Sequence, residues 1–141
     1  MRPSTLSATA PYAYAAVTDP GRMVFTAGAC PLDADGATVA VGDVAGQAGQ
    51  VMDNLVTALE AAGAALDDVL KTTVYVATSD RADLLAAWQV VRERFGDHAA
   101  PSTLVGVTVL AHEDQLVEVE AVAVRDSWQE PGPPHDVTAG A

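Results

Sequence analysis

The sequence predicts a single α+β domain, in which two helices lie on one face of a mixed β-sheet. Two stretches carry apolar residues at helical spacing, and short Val-rich stretches precede, separate and follow them. The resulting order, β-β-(β)-α-β-α-β-β, is typical of a sheet with both parallel and antiparallel neighbours. The chain of 141 residues has the length of one domain, which we place in residues 1–125. Residues 126–141, rich in proline and glycine, are predicted to be a flexible C-terminal tail.

Short strands are predicted ahead of the first helix. Residues 12–17 and 22–27 are the two candidates, and the turn formers Asp19-Pro20-Gly21 separate them. Residues 38–41 are a third, short edge strand in this interpretation.

The first helix is predicted from its cap and its apolar face. Asp43 is a favourable N-cap residue, and Val51, Leu55 and Leu59 follow at the spacing of one helix face. Gly63 stands where a helix commonly ends, because glycine adopts the left-handed conformation found there.

A strand and a second helix follow. Residues 69–77 are rich in β-branched residues and predict the strand. Residues 81–95 predict the helix, with Asp80 as its N-cap and Gly96 ending it. The apolar face of this helix includes Trp88.

The last ordered stretch predicts two strands, residues 103–110 and 116–124, joined as a hairpin by the turn 111–114. Because side chains alternate along a strand, Glu118 and Glu120 fall on one otherwise apolar face, about 7 Å apart. A carboxylate that faces a buried layer is costly, so it is expected to have a charged or hydrogen-bonding partner or a functional role. The alternative is that this end of the strand faces water.

The second face of the sheet needs a cover. Val107, Val109, Val122 and Val124 cannot all face water, and too few residues remain to build a second layer. We therefore expect other subunits to cover this face.

The composition excludes several classes of function. The chain has 7 basic and 19 acidic residues, a net charge of −12, and such a charge disfavours nucleic acid as a partner. No apolar run reaches the length of a membrane span, and the beginning of the chain lacks a signal peptide's apolar core. One cysteine, Cys30, fits a reducing compartment, so we expect a cytoplasmic protein.

Familiar catalytic motifs are missing. The three histidines lack the spacing of metal ligands, and neither a phosphate-binding loop nor a serine-nucleophile motif occurs, so no metal and no cofactor is expected. Cys30 could be a nucleophile, but no flanking basic residue lowers its pKa, and a small core thiol is the alternative. The remaining candidates for chemistry are the two glutamates, Tyr12 and the loops around Gly28 and Ser102.

The order of short motifs nevertheless resembles that of a known family. The matching pieces run from residue 11 to residue 125: Pro11-Tyr12, MVFTAG with Pro31, Gln47, Asn54-Leu55, Leu59, Gly63, Asp68-Val69-Leu70-Lys71-Thr72, Tyr75, Phe95, Pro101-Ser102-Thr103 and Leu116-Val117-Glu118. In this order and spacing they resemble the Rid family of reactive intermediate deaminases, also called YjgF-like proteins.

The resemblance implies a chorismate-mutase-like α+β fold, assembled as a homotrimer with a central barrel-like core. It also implies that a small-molecule ligand binds in clefts between adjacent subunits. The best-known activity in the family is the hydrolysis of an enamine or imine, formed from an amino acid, to a keto acid and ammonia, without a cofactor.

The resemblance also implies the site residues. Glu118 stands where the family's glutamate positions the attacking water. Ser102 stands where deaminating members have an arginine that clamps the substrate carboxylate, and serine cannot form that charged, bidentate fork. Ala27 replaces a serine and Leu85 an asparagine. The substrate-binding positions implied in this way are Tyr12, Ala27, Gly28, Leu85, Trp88, Ser102 and Thr103.

The family's water-activating carboxylate is thus present, and its carboxylate clamp is lost. We expect a divergent enzyme that acts on a small imine, enamine or related carbonyl compound by hydrolysis, tautomerisation or condensation. Little deamination of charged 2-imino acids is expected. The alternative is a non-catalytic trimer that binds small molecules or acts like a chaperone. An RNA-cleaving activity is disfavoured by the net charge of −12.

Overall fold

The structure, a computed structural model, describes Met1, Thr9 and residues 12–125 of the chain. The predicted tail, residues 126–141, lies outside the described residues. The helices and strands are β1 (Arg22–Phe25), α1 (Val44–Ala61), a 3₁₀ turn (Leu66–Asp68), β2 (Val69–Ala77), α2 (Arg81–Phe95), β3 (Ser102–Val107) and β4 (Val117–Arg125).

The four strands form one mixed sheet in the order β1-β4-β2-β3. Strand β4 is antiparallel to both of its neighbours, β1 and β2, whereas β2 and β3 run parallel. Helix α1 packs on β4, and α2 packs on β2 and β3. The predicted α+β class, with two helices and a mixed sheet, is confirmed.

The helix-covered face of the sheet forms the core. On β4 the alternation is as predicted, since Val117, Val119, Ala121 and Ala123 are all buried. They pack with the buried residues of β2 and of both helices, which include Val74, Val76, Val51, Met52, Leu55, Leu59 and Val91. Burial of apolar surface in this layer is the main source of stability.

The helix boundaries follow from their caps. The Asp43 side chain accepts a hydrogen bond from the backbone N–H of Gly46, and the Asp80 side chain accepts one from Ala82. Gly63 and Gly96, just past the two helix ends, have φ of 78° and 59°, values that favour glycine. Both helices and β2 therefore lie where the sequence predicts them.

The predicted terminal hairpin is wrong. Strands β3 and β4 do not pair with each other, because β2 lies between them. The connecting loop, residues 108–116, is held toward α1. The buried side chain of Gln47 donates to the carbonyl oxygen of Asp114 (2.8 Å) and accepts from the N–H of Leu116 (2.7 Å). The Thr38 hydroxyl also donates to the carbonyl oxygen of Glu113 (2.8 Å). These contacts direct β4 into the middle of the sheet.

Two of the predicted short strands are also wrong. Residues 12–17 form no strand, and the 38–41 segment contributes only an isolated bridge between Leu32 and Thr38. Strand β1 ends at Phe25, two residues earlier than predicted.

The face of the sheet away from the helices is called the open face below. It carries polar side chains, among them Lys71, Thr73, Tyr75, Glu118 and Glu120, together with Met23, Phe25, Val105 and Val122. Phe25 is 71% exposed and Met23 is 52% exposed. Val124, which was expected to need a covering subunit, is already buried within the chain.

Candidate functional site

The candidate acid/base, Glu118, lies on the open face near the start of β4. It is half-buried and lies opposite Tyr75 of β2 in the register of the sheet. The loop after β1 reaches the same place, because Ala29 and Val119 exchange backbone hydrogen bonds of 2.7 and 3.2 Å. This bridge brings Gly28 and Cys30 against the Glu118 carboxylate.

Three residues, Gly28, Cys30 and Gln115, hold the carboxylate, and we call them the Glu118 seat. The Cys30 thiol donates to Oε1 of Glu118 (3.2 Å), and Nε2 of Gln115 donates to the same oxygen (3.4 Å). A Cβ atom at Gly28 would stand 2.5 Å from Cδ of Glu118, so a larger residue there would displace the carboxylate from its present position.

Gln115 is itself fixed. Its side chain is buried, donates to the carbonyl oxygen of Val117 (3.1 Å) and accepts from the N–H of His112 (3.2 Å). The neighbouring loop residues are held by Gln47, as described above. Gln115 was missed in the sequence because it lies in a segment predicted to be a hairpin connection, with no motif around it.

Cys30 is neither of the two alternatives offered by the sequence. It is half-buried and faces a carboxylate, so it is not a simple core thiol. Burial, together with the hydrogen bond and negative charge of Glu118, raises the pKa of Cys30 to about 11. A thiol with that pKa is protonated at neutral pH, so it serves as a hydrogen-bond donor and makes a poor nucleophile.

A second group of site residues lines a pocket of about 350 Å³ beside α2 and β3. The lining residues are Tyr12, Leu85, Trp88, Ser102 and Leu104. The rings of Tyr12 and Trp88 meet edge to face, with centroids 6.5 Å apart and planes at 79°. This lining carries no charged side chain. We call it the aromatic pocket.

The structure does not bring the aromatic pocket and Glu118 together within one chain. Ser102 is level with Thr72 and accepts a hydrogen bond from its hydroxyl (2.7 Å), and Thr72 faces the helices. Glu118 faces the other way. Of the remaining predicted residues, Ala27 is exposed just beyond β1, and Thr103 lies on the open face.

The open face has a polar network of its own next to Glu118. The Tyr75 hydroxyl donates to Oε1 of Glu120 (2.7 Å), and this hydrogen bond is the main reason that the pKa of Tyr75 is raised. Nζ of Lys71 donates to the Thr103 hydroxyl (2.7 Å), and burial lowers the pKa of Lys71. Glu120 is thus engaged by its own neighbours, whereas Glu118 is held by the seat.

Residues 12–125 contain no group of three or more His, Cys, Asp or Glu side chains able to hold a metal ion. Within the same part of the chain, neither helix is long and apolar enough to cross a membrane.

Fold and site together define a class: a two-layer α+β domain with an oriented carboxylate on its open face and a separate uncharged pocket at its edge. The chain belongs to the Rid (YjgF-like) family, because the family model described as Endoribonuclease L-PSP matches residues 3–125.

Similar proteins agree with this assignment. A RutC family protein of Pyrococcus horikoshii is 35% identical over 113 residues, which cover 80% of this chain and 87% of that protein. A 2-iminobutanoate/2-iminopropanoate deaminase of Salmonella typhimurium is 35% identical over 114 residues, covering 79% and 87%. Among solved structures, a Rid family protein of unknown function from Yersinia pestis superposes with a TM-score of 0.81 at 31% identity, covering 89% of this chain and 96% of that one.

Proposed function

We propose that the protein is a divergent Rid-family enzyme that acts on a small, uncharged imine, enamine or related carbonyl compound, with Glu118 as its acid/base. The observation that carries this proposal is the Glu118 carboxylate, held at Oε1 by two neutral donors on an otherwise open sheet face. A carboxylate in such a position can take a proton from water and return it.

The chemistry proposed is hydrolysis of a C=N bond, R₂C=NH + H₂O → R₂C=O + NH₃. Glu118 accepts a proton from the water as its oxygen bonds to the imine carbon. The same proton then passes to the nitrogen, which gives the carbinolamine R₂C(OH)NH₂. Glu118 next moves the hydroxyl proton of this intermediate to the nitrogen, and the C–N bond breaks to release ammonia and leave the carbonyl compound. Tautomerisation and condensation of carbonyl compounds use the same proton transfer, so they belong to the same proposal.

The substrate is proposed to be uncharged because the aromatic pocket offers no cation. Ser102 lies in this pocket with its hydroxyl already bonded to Thr72. A carboxylate entering the pocket would lose water without gaining a charged partner, which is costly. The similar protein from Salmonella is named a deaminase of 2-imino acids. We propose that this chain has lost that preference.

The complete site is proposed to form between subunits of a homotrimer. The protein is proposed to be cytoplasmic. Glu118 and the aromatic pocket lie on opposite faces of the sheet, so a pocket from one subunit would have to meet a carboxylate from its neighbour. The exposed Phe25 and Met23 support such an assembly, since large apolar side chains on a sheet face mark interaction surfaces. The barrel-like core expected from the resemblance belongs to this part of the proposal.

The proposal is tested with an imine made in the assay. Benzaldimine is generated from benzylamine by a flavin amine oxidase, and semicarbazide competes with the protein for it. The protein is expected to lower semicarbazone formation and to release benzaldehyde and ammonia. Glu118→Gln is expected to lower the rate about a hundredfold or more, the usual contribution of an acid/base.

The matched control is Glu120→Gln, which changes the neighbouring carboxylate on the same face and keeps an acceptor for Tyr75. It is expected to keep the rate of the unchanged protein. 2-Iminopropanoate, generated from alanine by an amino-acid oxidase, is expected to be a poor substrate. Rapid, saturable ammonia release from it, or an unchanged rate in Glu118→Gln, contradicts the proposal.

A second candidate is a non-catalytic trimer that binds small molecules or acts like a chaperone. The separate position of the aromatic pocket favours it, because none of the described residues that line this pocket is a carboxylate, histidine, lysine or arginine. Saturable binding of benzaldehyde, quenching Trp88 fluorescence equally in the unchanged protein and in Glu118→Gln, with no turnover, would support this candidate. The RNA cleavage suggested by the family model's description is disfavoured by the net charge of −12.

A further inference from the structure

We infer that Gln115 and Cys30 are positioning residues that fix the Glu118 carboxylate in one orientation, with Oε2 left to face the water or substrate. The inference rests on the proposed role of Glu118 and adds residues to it.

Both donors of the seat address the same oxygen. The Cys30 thiol and Nε2 of Gln115 lie 3.2 and 3.4 Å from Oε1 of Glu118. Within the described part of the chain, no hydrogen bond reaches Oε2. The carboxylate therefore has one oxygen that is engaged and one that is free to accept a proton.

The two donors come from different segments, so together they fix the direction of the carboxylate as well as its place. Cys30 follows the bridge between Ala29 and Val119, whereas Gln115 belongs to the loop that Gln47 holds toward α1. The backbone of Gly28 packs against the carboxylate from a third direction, because a Cβ atom built on Gly28 would stand 2.7 Å from Oε2. Orientation of this kind matters because a reacting group misplaced by about 1 Å can lose about a hundredfold in rate.

The donors are also suited to a carboxylate that must take up a proton. Both are neutral at neutral pH, since an amide carries no charge and burial together with Glu118 raises the pKa of Cys30 to about 11. A cation at this position would favour the ionised carboxylate and make it a weaker base. Two neutral donors orient Glu118 without placing a positive charge beside it.

The first test measures the contact itself and does not depend on any activity. Cys30 is the single cysteine, so the rate of its alkylation by iodoacetamide between pH 7 and pH 12 reports one thiol. The full-length protein is expected to show an apparent pKa of about 11. In Glu118→Gln the apparent pKa is expected to fall toward the ordinary 9.0, although burial still acts. The same titration in both proteins overturns the inferred contact.

The second test uses the benzaldimine assay with a matched pair at position 30. Cys30→Ala removes the donor and is expected to lower kcat about tenfold or more at unchanged KM. Cys30→Ser supplies a hydroxyl donor and is expected to recover most of that loss. If Cys30 had a purely structural role, the loss of kcat in the alanine and serine variants would follow their loss of folding stability.

Gln115→Met gives an independent check, since it keeps the length of the side chain and removes the Nε2 donor. A kcat loss in this variant, with an unchanged circular dichroism spectrum, supports the inference. Full activity in both Cys30→Ala and Gln115→Met overturns it. If the unchanged protein hydrolyses no imine, the proposed function fails, and the thiol titration alone then decides whether the seat holds Glu118.

Discussion

The two faces of the sheet differ in almost every physical respect. On the helix-covered face, Val74, Val76, Val117 and Val119 are fully buried. On the open face, β2 and β4 instead present half-buried Tyr75, Glu118 and Glu120, and Phe25 of β1 is 71% exposed. Both sets of side chains come from the same strands, because successive residues alternate between the faces.

This difference shows how the same strands can serve two purposes. The covered face supplies apolar burial, which stabilises the domain. The open face carries polar side chains in hydrogen-bonded pairs, Tyr75 with Glu120 and Lys71 with Thr103, beside apolar side chains still in contact with water. We therefore expect substitutions on the first face to change folding and substitutions on the second to change assembly or chemistry.

The largest effect is expected on the covered side. Leu55→Ala removes a fully buried side chain of α1 from the core and leaves a cavity. We expect the free energy of unfolding, measured in urea at fixed protein concentration, to fall by about 2–5 kcal/mol. Leu85→Ala makes the same chemical change at a position that is 64% exposed, and it should leave the free energy nearly unchanged. Equal losses in the two variants would show that the core assignment is wrong.

An intermediate effect is expected from the open face. Phe25→Ser places a small polar side chain on the exposed apolar part of this face, so self-association should weaken by about tenfold or more, which is about 1.4 kcal/mol. Sedimentation across a range of concentrations measures this, and the far-ultraviolet circular dichroism should stay native-like. Val41→Ser, which makes the same kind of change at an exposed apolar residue outside the sheet, is the control. Unchanged self-association in Phe25→Ser would show that this part of the open face does not contribute to assembly.

The smallest effect is a dependence of stability on alkaline pH. The pKa of Cys30 is raised from 9.0 to about 11 by burial and then by Glu118, so the folded protein holds this proton more tightly than the unfolded chain does. The stabilisation is complete below about pH 9 and is lost as the pH rises toward 11. Because solvent reaches the half-buried thiol, the change should be modest.

The urea midpoint should therefore fall between pH 9 and pH 11 more steeply in the unchanged protein than in Cys30→Ala. Tyr75 and Lys71 also have shifted pKa values, but they act in both proteins and cancel in the comparison. If the urea midpoints of the two proteins fell in parallel with pH, the pKa of Cys30 would not be raised in the folded protein.

The local parts of the fold were predictable from the sequence. Asp43 and Asp80 begin the helices, glycines end them, and β2 has the predicted bounds, because caps and β-branched runs act over a few residues. Strand pairing was not predictable in the same way. A hairpin was the simplest connection of β3 to β4, and nothing in residues 108–116 shows that Gln47, on α1, holds their loop elsewhere.

The candidate site was likewise predictable in its local features and not in its long-range contacts. Alternation along β4 predicts that Glu118 leaves the core, and the structure agrees. The seat was not visible, because Cys30 lies 88 residues before Glu118 in the chain and meets it only through the bridge at Ala29. That Tyr12, Leu85, Trp88 and Ser102 line one pocket follows from no periodicity in the chain, since these residues come from three separate segments.

The place of β4 in the sheet also has a consequence for the synthesis of the protein on the ribosome. Among the described strands β4 is the last in chain order, yet it lies between β1 and β2 and supplies four residues of the buried cluster beneath the helices. Until residues 117–125 have left the exit tunnel, β1 lacks β4, the one described strand with which it pairs, and α1 lacks the strand on which it packs. The nascent domain must therefore wait for β4, which is inserted at the centre of the sheet and not added at an edge.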